Sequence, residues 1–225
     1  MTQKLKRVLD NHKIQDKQKS VGIILNGVSN QITTSDDYII VADGGLKNAK
    51  NIKIDILIGD FDSIDTNQLP EGIKKITYNS EKNETDGELA INFAVELGYK
   101  RINIYAALGG RTDHLLGNLA LLSLASSLNA IAVIKDIKET IFFVTKKISF
   151  MAPKNTYVSI VPFGGNATIK NSQNLKYKLN KTEIKCNNTL GISNIAIDEK
   201  VCFEIEKGEV LVFVNSADVD LIEII

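Results

Sequence analysis

The sequence has no tryptophan, two cysteines and three prolines among its 225 residues, and it carries no surplus of either charge. Two cysteines, Cys186 and Cys202, are too few to staple a domain. A disulfide scaffold is thereby excluded, and a reducing compartment fits. The 27 basic and 27 acidic side chains cancel, whereas a general nucleic-acid binder carries a basic excess. No run of about 18 apolar residues occurs, so no membrane span is expected. Met1 to Ser20 is polar and lacks the apolar centre of a signal peptide. This segment, 1–20, is read as a polar arm, and the cytoplasm is the default location. The aromatic share is low at 6%, but hydrophobic residues make up 44% and charged ones 24% of the chain, which excludes disorder and collagen-like repeats. The length allows one large domain or two small ones.

From Val21 onward, short apolar runs alternate with helical stretches. Val21–Leu25, Tyr38–Ala42, Asp55–Ile58, Lys75–Tyr78, Ile102–Ala106 and Ala130–Ile134 read as strands. Continuous apolar strands separated by helices predict a mostly parallel sheet covered on both faces. The spacing predicts one helix over 86–97, where Leu89, Phe93 and Leu97 share a face. Thr85-Asp-Gly-Glu88 fits a capping box at its start. A second helix is predicted over 114–127. It is apolar nearly all round, as expected of a helix buried between layers or at a subunit contact.

After about Asp136 the helical signal stops. Thr140–Val144, Tyr157–Val161, Val201–Ile205 and Val210–Val214 read as strands, with turns expected at Pro162–Gly165 and Lys207–Gly208. The change from α/β to pure β sets a domain boundary at 136/137. A β domain spanning 137–225 is small for an independent core, so docking or dimerisation is expected.

Four features follow the expected carboxyl ends of strands, the edge at which open α/β sheets bind ligands. They are Asp43-Gly-Gly45, Gly59-Asp-Phe-Asp-Ser63, Asp86, and Gly109-Gly-Arg-Thr-Asp-His114. Asp60 and Asp62 point the same way in an extended segment. They can hold Mg²⁺, a hard cation that takes carboxylate and phosphate oxygens; a turn capped by one of the two is the plain alternative. Gly44 lets a ligand approach the backbone, or simply makes a turn. Arg111 can clamp a phosphate, and Asp113 and His114 can orient a hydroxyl or take its proton. A helix capped by Thr112 or Asp113, with a structural histidine, is equally compatible with the residues. Asp86 is either a site acid or a favourable charge in a first helical turn.

Taken together, these stretches resemble the thiamine pyrophosphokinase (thiamine diphosphokinase) family from about Val21 to the C-terminus. The resemblance rests on Ala42-Asp-Gly-Gly45, Ile58-Gly-Asp-Phe-Asp-Ser-Ile64 and Lys82-Asn-Glu-Thr-Asp86, then Gly109-Gly-Arg-Thr-Asp-His114 with Asn118, and Gly191-Ile-Ser-Asn194. It implies a Rossmann-like α/β catalytic domain over 21–136 that binds ATP and Mg²⁺. A β-sandwich for thiamine binding and dimerisation follows over 137–225. The implied reaction is Mg²⁺-dependent transfer of diphosphate from ATP to the hydroxyl of thiamine, with release of AMP.

The resemblance further implies a homodimer, with thiamine and ATP as small-molecule partners; the cancelling charges and the lack of a long apolar run lead us to expect no nucleic-acid or membrane partner. It assigns Asp60, Asp62, Asp86, Arg111 and Asp113 to catalysis, the three acids Asp60, Asp62 and Asp86 also to the metal and phosphates, and Asp43, Gly44, Lys82, Asn83, Thr85, Gly110, His114 and Asn118 to substrate binding. Tyr177, Ser193 and Asn194 match the thiamine end, which in the family is completed by the β domain of the other subunit. Asn83 stands where the family has Asp, and Asn174 where relatives read Gly. The Asn174 change is mild if the position is left-handed, since Asn tolerates that conformation. Tyr177 can stack on a thiazolium or pyrimidine ring. A diphosphokinase for another alcohol, such as a hydroxymethylpterin, and a non-catalytic nucleotide- or thiamine-binding protein are the alternatives.

Overall fold

The computed structural model describes residues 19–29, 31–61, 72–78 and 83–225. Most of the polar arm expected over 1–20 lies outside them. The chain divides into two compact units, Met1–Ile134 and Lys135–Ile225, against the boundary at 136/137 expected from the sequence.

The first unit is built on strands β1 (Ser20–Ile24), β2 (Tyr38–Ala42), β3 (Ile56–Gly59), β4 (Lys74–Thr77), β5 (Arg101–Tyr105) and β6 (Ile131–Lys135). Their order in the sheet is β6-β5-β1-β2-β3-β4. The pairs β1–β2, β1–β5, β2–β3 and β3–β4 are all parallel. The chain thus leaves β1 toward β2 and returns on the other side at β5. The order reverses between β1 and β5, which makes a switch point at their carboxyl ends.

Side chains alternate across this sheet. Ile24, Ile39, Val41, Leu57 and Tyr105 form one buried cluster, joined by Leu46 of the 3₁₀ segment Asp43–Asn48 and by Ile32, Ile52 and Phe61. Helix α1 (Asp86–Glu96) packs on β1, β2 and β3 and against helix α2 (Thr112–Ser127). It buries Leu89, Ala90, Ile91, Phe93 and Ala94. Thr85 caps it by accepting the Glu88 N–H on Oγ1 at 3.2 Å. Helix α2 begins two residues earlier than its apolar pattern suggested. It buries Leu119, Leu121, Leu122 and Ala125, while Leu116 is 61% exposed.

The second unit is antiparallel: β7 (Thr140–Val144), β8 (Lys147–Met151), β9 (Tyr157–Gln173), β10 (Thr182–Ile184), β11 (Asn194–Ile195), β12 (Lys200–Val214) and β13 (Asp220–Ile224). It is a β-sandwich in which β9 and β12 are long enough to serve both layers. The carboxyl half of β12 pairs with β7 and with the start of β9, whereas its amino half pairs with β8 and the end of β9.

The turns expected at Pro162–Gly165 and Lys207–Gly208 are not chain reversals. Both lie inside continuous strands, and the ladder between them shifts register at Glu204/Ile205, Ile205/Lys207 and Lys207/Glu209. Gly164 at φ 74° and Gly208 at φ 81° absorb the bend. Turn-forming residues here make bulges because strand pairing resumes on both sides of them. The core includes Phe142 and Phe150, tilted rings 5.9 Å apart.

Candidate active site

A cleft of about 730 Å³ opens in the first unit at the carboxyl ends of β1, β2 and β5. It is lined by Asp43 and Gly44 after β2, Thr85 and Asp86 at the start of α1, and Gly110, Arg111, Asp113, His114 and Asn118 around the start of α2. Three loops leave the sheet through left-handed residues that are not glycine: Asp43 at φ 22°, Phe61 at φ 61° and Ala106 at φ 51°. Each such residue costs roughly 1–2 kcal/mol, which the surrounding contacts must offset.

Asp43 packs against Gly59, the last residue of β3. A Cβ at position 59 would lie 2.7 Å from that of Asp43. Asp60 follows directly, half-buried, and stands beside the cleft rather than in its lining. Asp62 and Lys82 lie outside the described residues. Asn83 is exposed in the bend before α1.

Arg111 and Asp113 form a two-pronged pair: Nε to Oδ1 at 3.1 Å and Nη2 to Oδ2 at 2.6 Å. Asp113 Oδ1 also accepts the His114 N–H at 2.9 Å. The hydrogen bond from Arg111 is the main reason the Asp113 carboxyl is held below its ordinary range, and the same pairing raises the guanidinium. Both side chains are exposed, so the pair orients a cation more than it stabilises the fold. Neither Thr112 nor Asp113 caps the helix: both lie in its first turn, and Arg111 occupies the N-cap position without a side-chain cap bond. Asn118 donates to the Ala107 carbonyl at 2.7 Å and so holds the loop ahead of Arg111.

The second unit carries the remaining expected residues. Tyr177 is 57% exposed, with Lys176 Nζ 5.5 Å from its ring centre. Ser193 is exposed at φ 57°, and its N–H donates to Ser159 Oγ. Asn194 is buried, at 3% exposure, and its amide is committed to backbone. It accepts from Tyr177 N–H and Ile195 N–H and donates to the Tyr177 carbonyl. It therefore positions Tyr177 from beneath. Asn174 sits at φ 62°, the left-handed conformation that Asn accommodates, and its amide donates to the Lys200 carbonyl.

Asn26, Gly27, Glu84, Gly87 and Gly117 also line the cleft and were not singled out from the sequence. The signal for Asn26 was available: a polar Asn-Gly pair one residue past an apolar strand run.

Residues 29–134 match the family described as "Thiamin pyrophosphokinase, catalytic domain", and residues 144–210 match "Thiamin pyrophosphokinase, vitamin B1 binding domain". A thiamine pyrophosphokinase of Bacillus subtilis (strain 168) is 32% identical over 216 residues, covering 89% of this chain and 100% of that protein. The crystal structure of thiamine pyrophosphokinase from Bacillus subtilis aligns with a TM-score of 0.76 at 27% identity, covering 88% of this chain and 99% of that one. The enzyme from Geobacillus thermodenitrificans aligns with the same TM-score of 0.76 at 24% identity, over 88% of this chain and 98% of that one, and shares the fold. Both units match in order and a relative is covered from end to end, so the chain belongs to the thiamine pyrophosphokinase family of enzymes.

Proposed function

We propose that this enzyme transfers a diphosphate group from ATP to the hydroxyl of thiamine, with Mg²⁺, giving thiamine diphosphate and AMP. The observation that carries the reading is a switch-point cleft whose lining brings the carboxylates Asp43 and Asp86 together with the Arg111–Asp113 pair. The thiamine hydroxyl oxygen bonds to the β-phosphorus of ATP, the bond from that phosphorus to the α–β bridging oxygen breaks, and AMP leaves with that oxygen. The hydroxyl proton is released to a base or to water. Little covalent chemistry falls to the protein, and its contribution is positioning and charge compensation.

Arg111 uses Nε and Nη2 on Asp113 and keeps its Nη1 donors for a phosphate oxygen. The amino end of α2, sixteen residues long, adds partial positive charge at the same place. The acids fit a magnesium ion by their chemistry, being hard oxygen donors at one sheet edge. Among the described residues no three acidic, histidine or cysteine side chains form a ready cage. Magnesium suits such a site because it takes one or two carboxylates and completes its shell with phosphate and water. Asp60, Asp62 and Asp86 are the residues assigned to hold it, and the ion would neutralise charge on the polyphosphate.

The reading extends to a homodimer, in which Tyr177 and Ser193 of the β unit contact thiamine bound with a second copy. Leu116 and Ala120, one turn apart on α2, are both exposed, and a second chain would bury them. A cytoplasmic location is in keeping with two free thiols, Cys186 and Cys202. The test is incubation with ATP, Mg²⁺ and thiamine, reading thiamine diphosphate and AMP. Absence of both, with product from a hydroxymethylpterin instead, overturns the assignment of thiamine.

A further inference from the structure

We infer that Asn26 is a substrate-contacting residue whose side-chain amide donates to a polyphosphate oxygen of the nucleotide, in a place prepared for it by Asn48 and Gly44. The inference rests on the nucleotide reading of the cleft.

Asn26 lies two residues past the end of β1, at the point where the strand order reverses between β1 and β5. Its loop is tied to the loop after β5: Gly27 N–H donates to the Ala106 carbonyl at 2.7 Å, and Val28 N–H to the Leu108 carbonyl at 2.8 Å. Asn26 is thereby set beside the segment that carries Gly110 and Arg111. A second anchor comes from Asn48. Its Nδ2 donates to the Leu25 carbonyl at 2.9 Å and to the Gly27 carbonyl at 3.0 Å, bracketing Asn26 from both sides. The side chain of Asn26 then lies across Gly44. A Cβ on residue 44 would collide with the carboxamide, its carbon only 2.7 Å away. Gly44 thus has a steric reason beyond the turn: a larger residue displaces Asn26 from the cleft.

Two other uncharged polar side chains of the cleft are already engaged. Thr85 Oγ1 accepts the Glu88 N–H, and Asn118 Nδ2 donates to Ala107. Among the described residues the Asn26 amide makes no hydrogen bond, although it lines the same cleft as Asp43 and Arg111. An amide there can donate to a phosphate oxygen without adding charge. A carboxylate of the same shape would repel the phosphate.

The experiment measures binding of an ATP analogue with a methylene bridge between the α- and β-phosphorus, in the presence of Mg²⁺, by calorimetry on the full chain. Asn26→Ala is expected to weaken binding by about 10-fold or more, the lower end of the worth of a hydrogen bond to a charged group. Asn26→Asp is expected to weaken it further, and Gly44→Ala to act in the same direction. The thermal midpoint of Asn26→Ala should match wild type, since the side chain is exposed and makes no protein hydrogen bond. The kinetic counterpart is a raised KM for ATP with an unchanged KM for thiamine. Binding by Asn26→Ala equal to wild type overturns the inference, as does binding by Asn26→Asp as tight as wild type. Failure of the wild-type chain to bind the analogue overturns the nucleotide reading as well, so the two failures are told apart.

Discussion

Asn194 offers the sharpest separation between contacting a substrate and holding the residue that does. Its side chain makes three bonds, all to backbone: from Tyr177 N–H at 3.0 Å, from Ile195 N–H at 2.9 Å and to the Tyr177 carbonyl at 2.7 Å. Asn194→Ala removes all three. Water reaches the neighbourhood of the exposed Tyr177 and satisfies part of the loss. The net effect is therefore close to 1 kcal/mol per bond plus a small cavity term, or about 2–4 kcal/mol in all.

Asn194→Asp is the finer probe. It keeps both acceptor bonds but sets a carboxylate oxygen against the Tyr177 carbonyl in a buried place. Burial and that carbonyl favour the protonated acid, so its folded pKa should exceed the unfolded value of about 3.9. A group with a raised folded pKa contributes most below the unfolded value, and the contribution is lost as pH rises through the folded one. The Asp variant should therefore approach wild-type stability near pH 4 and fall away toward pH 8. Urea unfolding followed by circular dichroism across that range measures both effects. An Ala variant within about 0.5 kcal/mol of wild type, the ordinary range for inconsequential surface changes, would refute the clamp. A difference between Asp variant and wild type that stays flat with pH would refute the importance of the donor bond.

Asp60→Asn should abolish turnover while leaving the thermal midpoint within a few degrees of wild type; full activity would remove Asp60 from the metal site. Gly191→Ala should cost about 1–3 kcal/mol or more by overpacking, because a Cβ there runs into the Ile160 carbonyl, and a thermal melt checks it. Burial, with a smaller contribution from the charge of Asp55, pushes the Tyr38 hydroxyl up to about 12. Burial is also the main cause of the raised values at Tyr99 and Tyr105. The unfolded chain thus loses these protons first, near pH 10, and stability should decline between pH 10 and 12, by roughly 3 kcal/mol for Tyr38 alone. Denaturation midpoints recorded with tyrosinate absorbance test this, and a flat profile over that interval would contradict it.

Much of the first unit was legible in the sequence because its signals are local. Tyr38–Ala42 is a run of apolar residues bounded by polar ones, and its ends are those of β2. Thr85 caps α1 because its hydroxyl meets an N–H three residues on, a relation visible in any sequence. The second unit was less legible. Lys147–Met151 is a strand because it pairs with β12 and with Asp220–Ile224, and the latter because it pairs with Lys147–Met151; no short-range pattern announces that. Pro162 and Gly208 read as turns, and only the partner strand decides that the chain continues through them. The site divides along the same line. The charged members were named from chemistry, but the commitment of Asn194 to Tyr177 and the freedom of Asn26 depend on neighbours distant in the chain. The Asn48 clamp spans 23 residues to Leu25 and 21 to Gly27, and nothing in the composition of either segment predicts it.

The two long strands of the sandwich have a consequence for how it comes apart. Because β9 and β12 run through both layers, neither layer possesses a full set of strands of its own. Opening one layer strips hydrogen bonds from strands that the other layer still needs, so partial opening gains little chain entropy for the pairing it forfeits. The unit should breathe as one block, its β9 and β12 amides exchanging with solvent at nearly a single free energy from end to end. The bulges at the centre bend that block without dividing it.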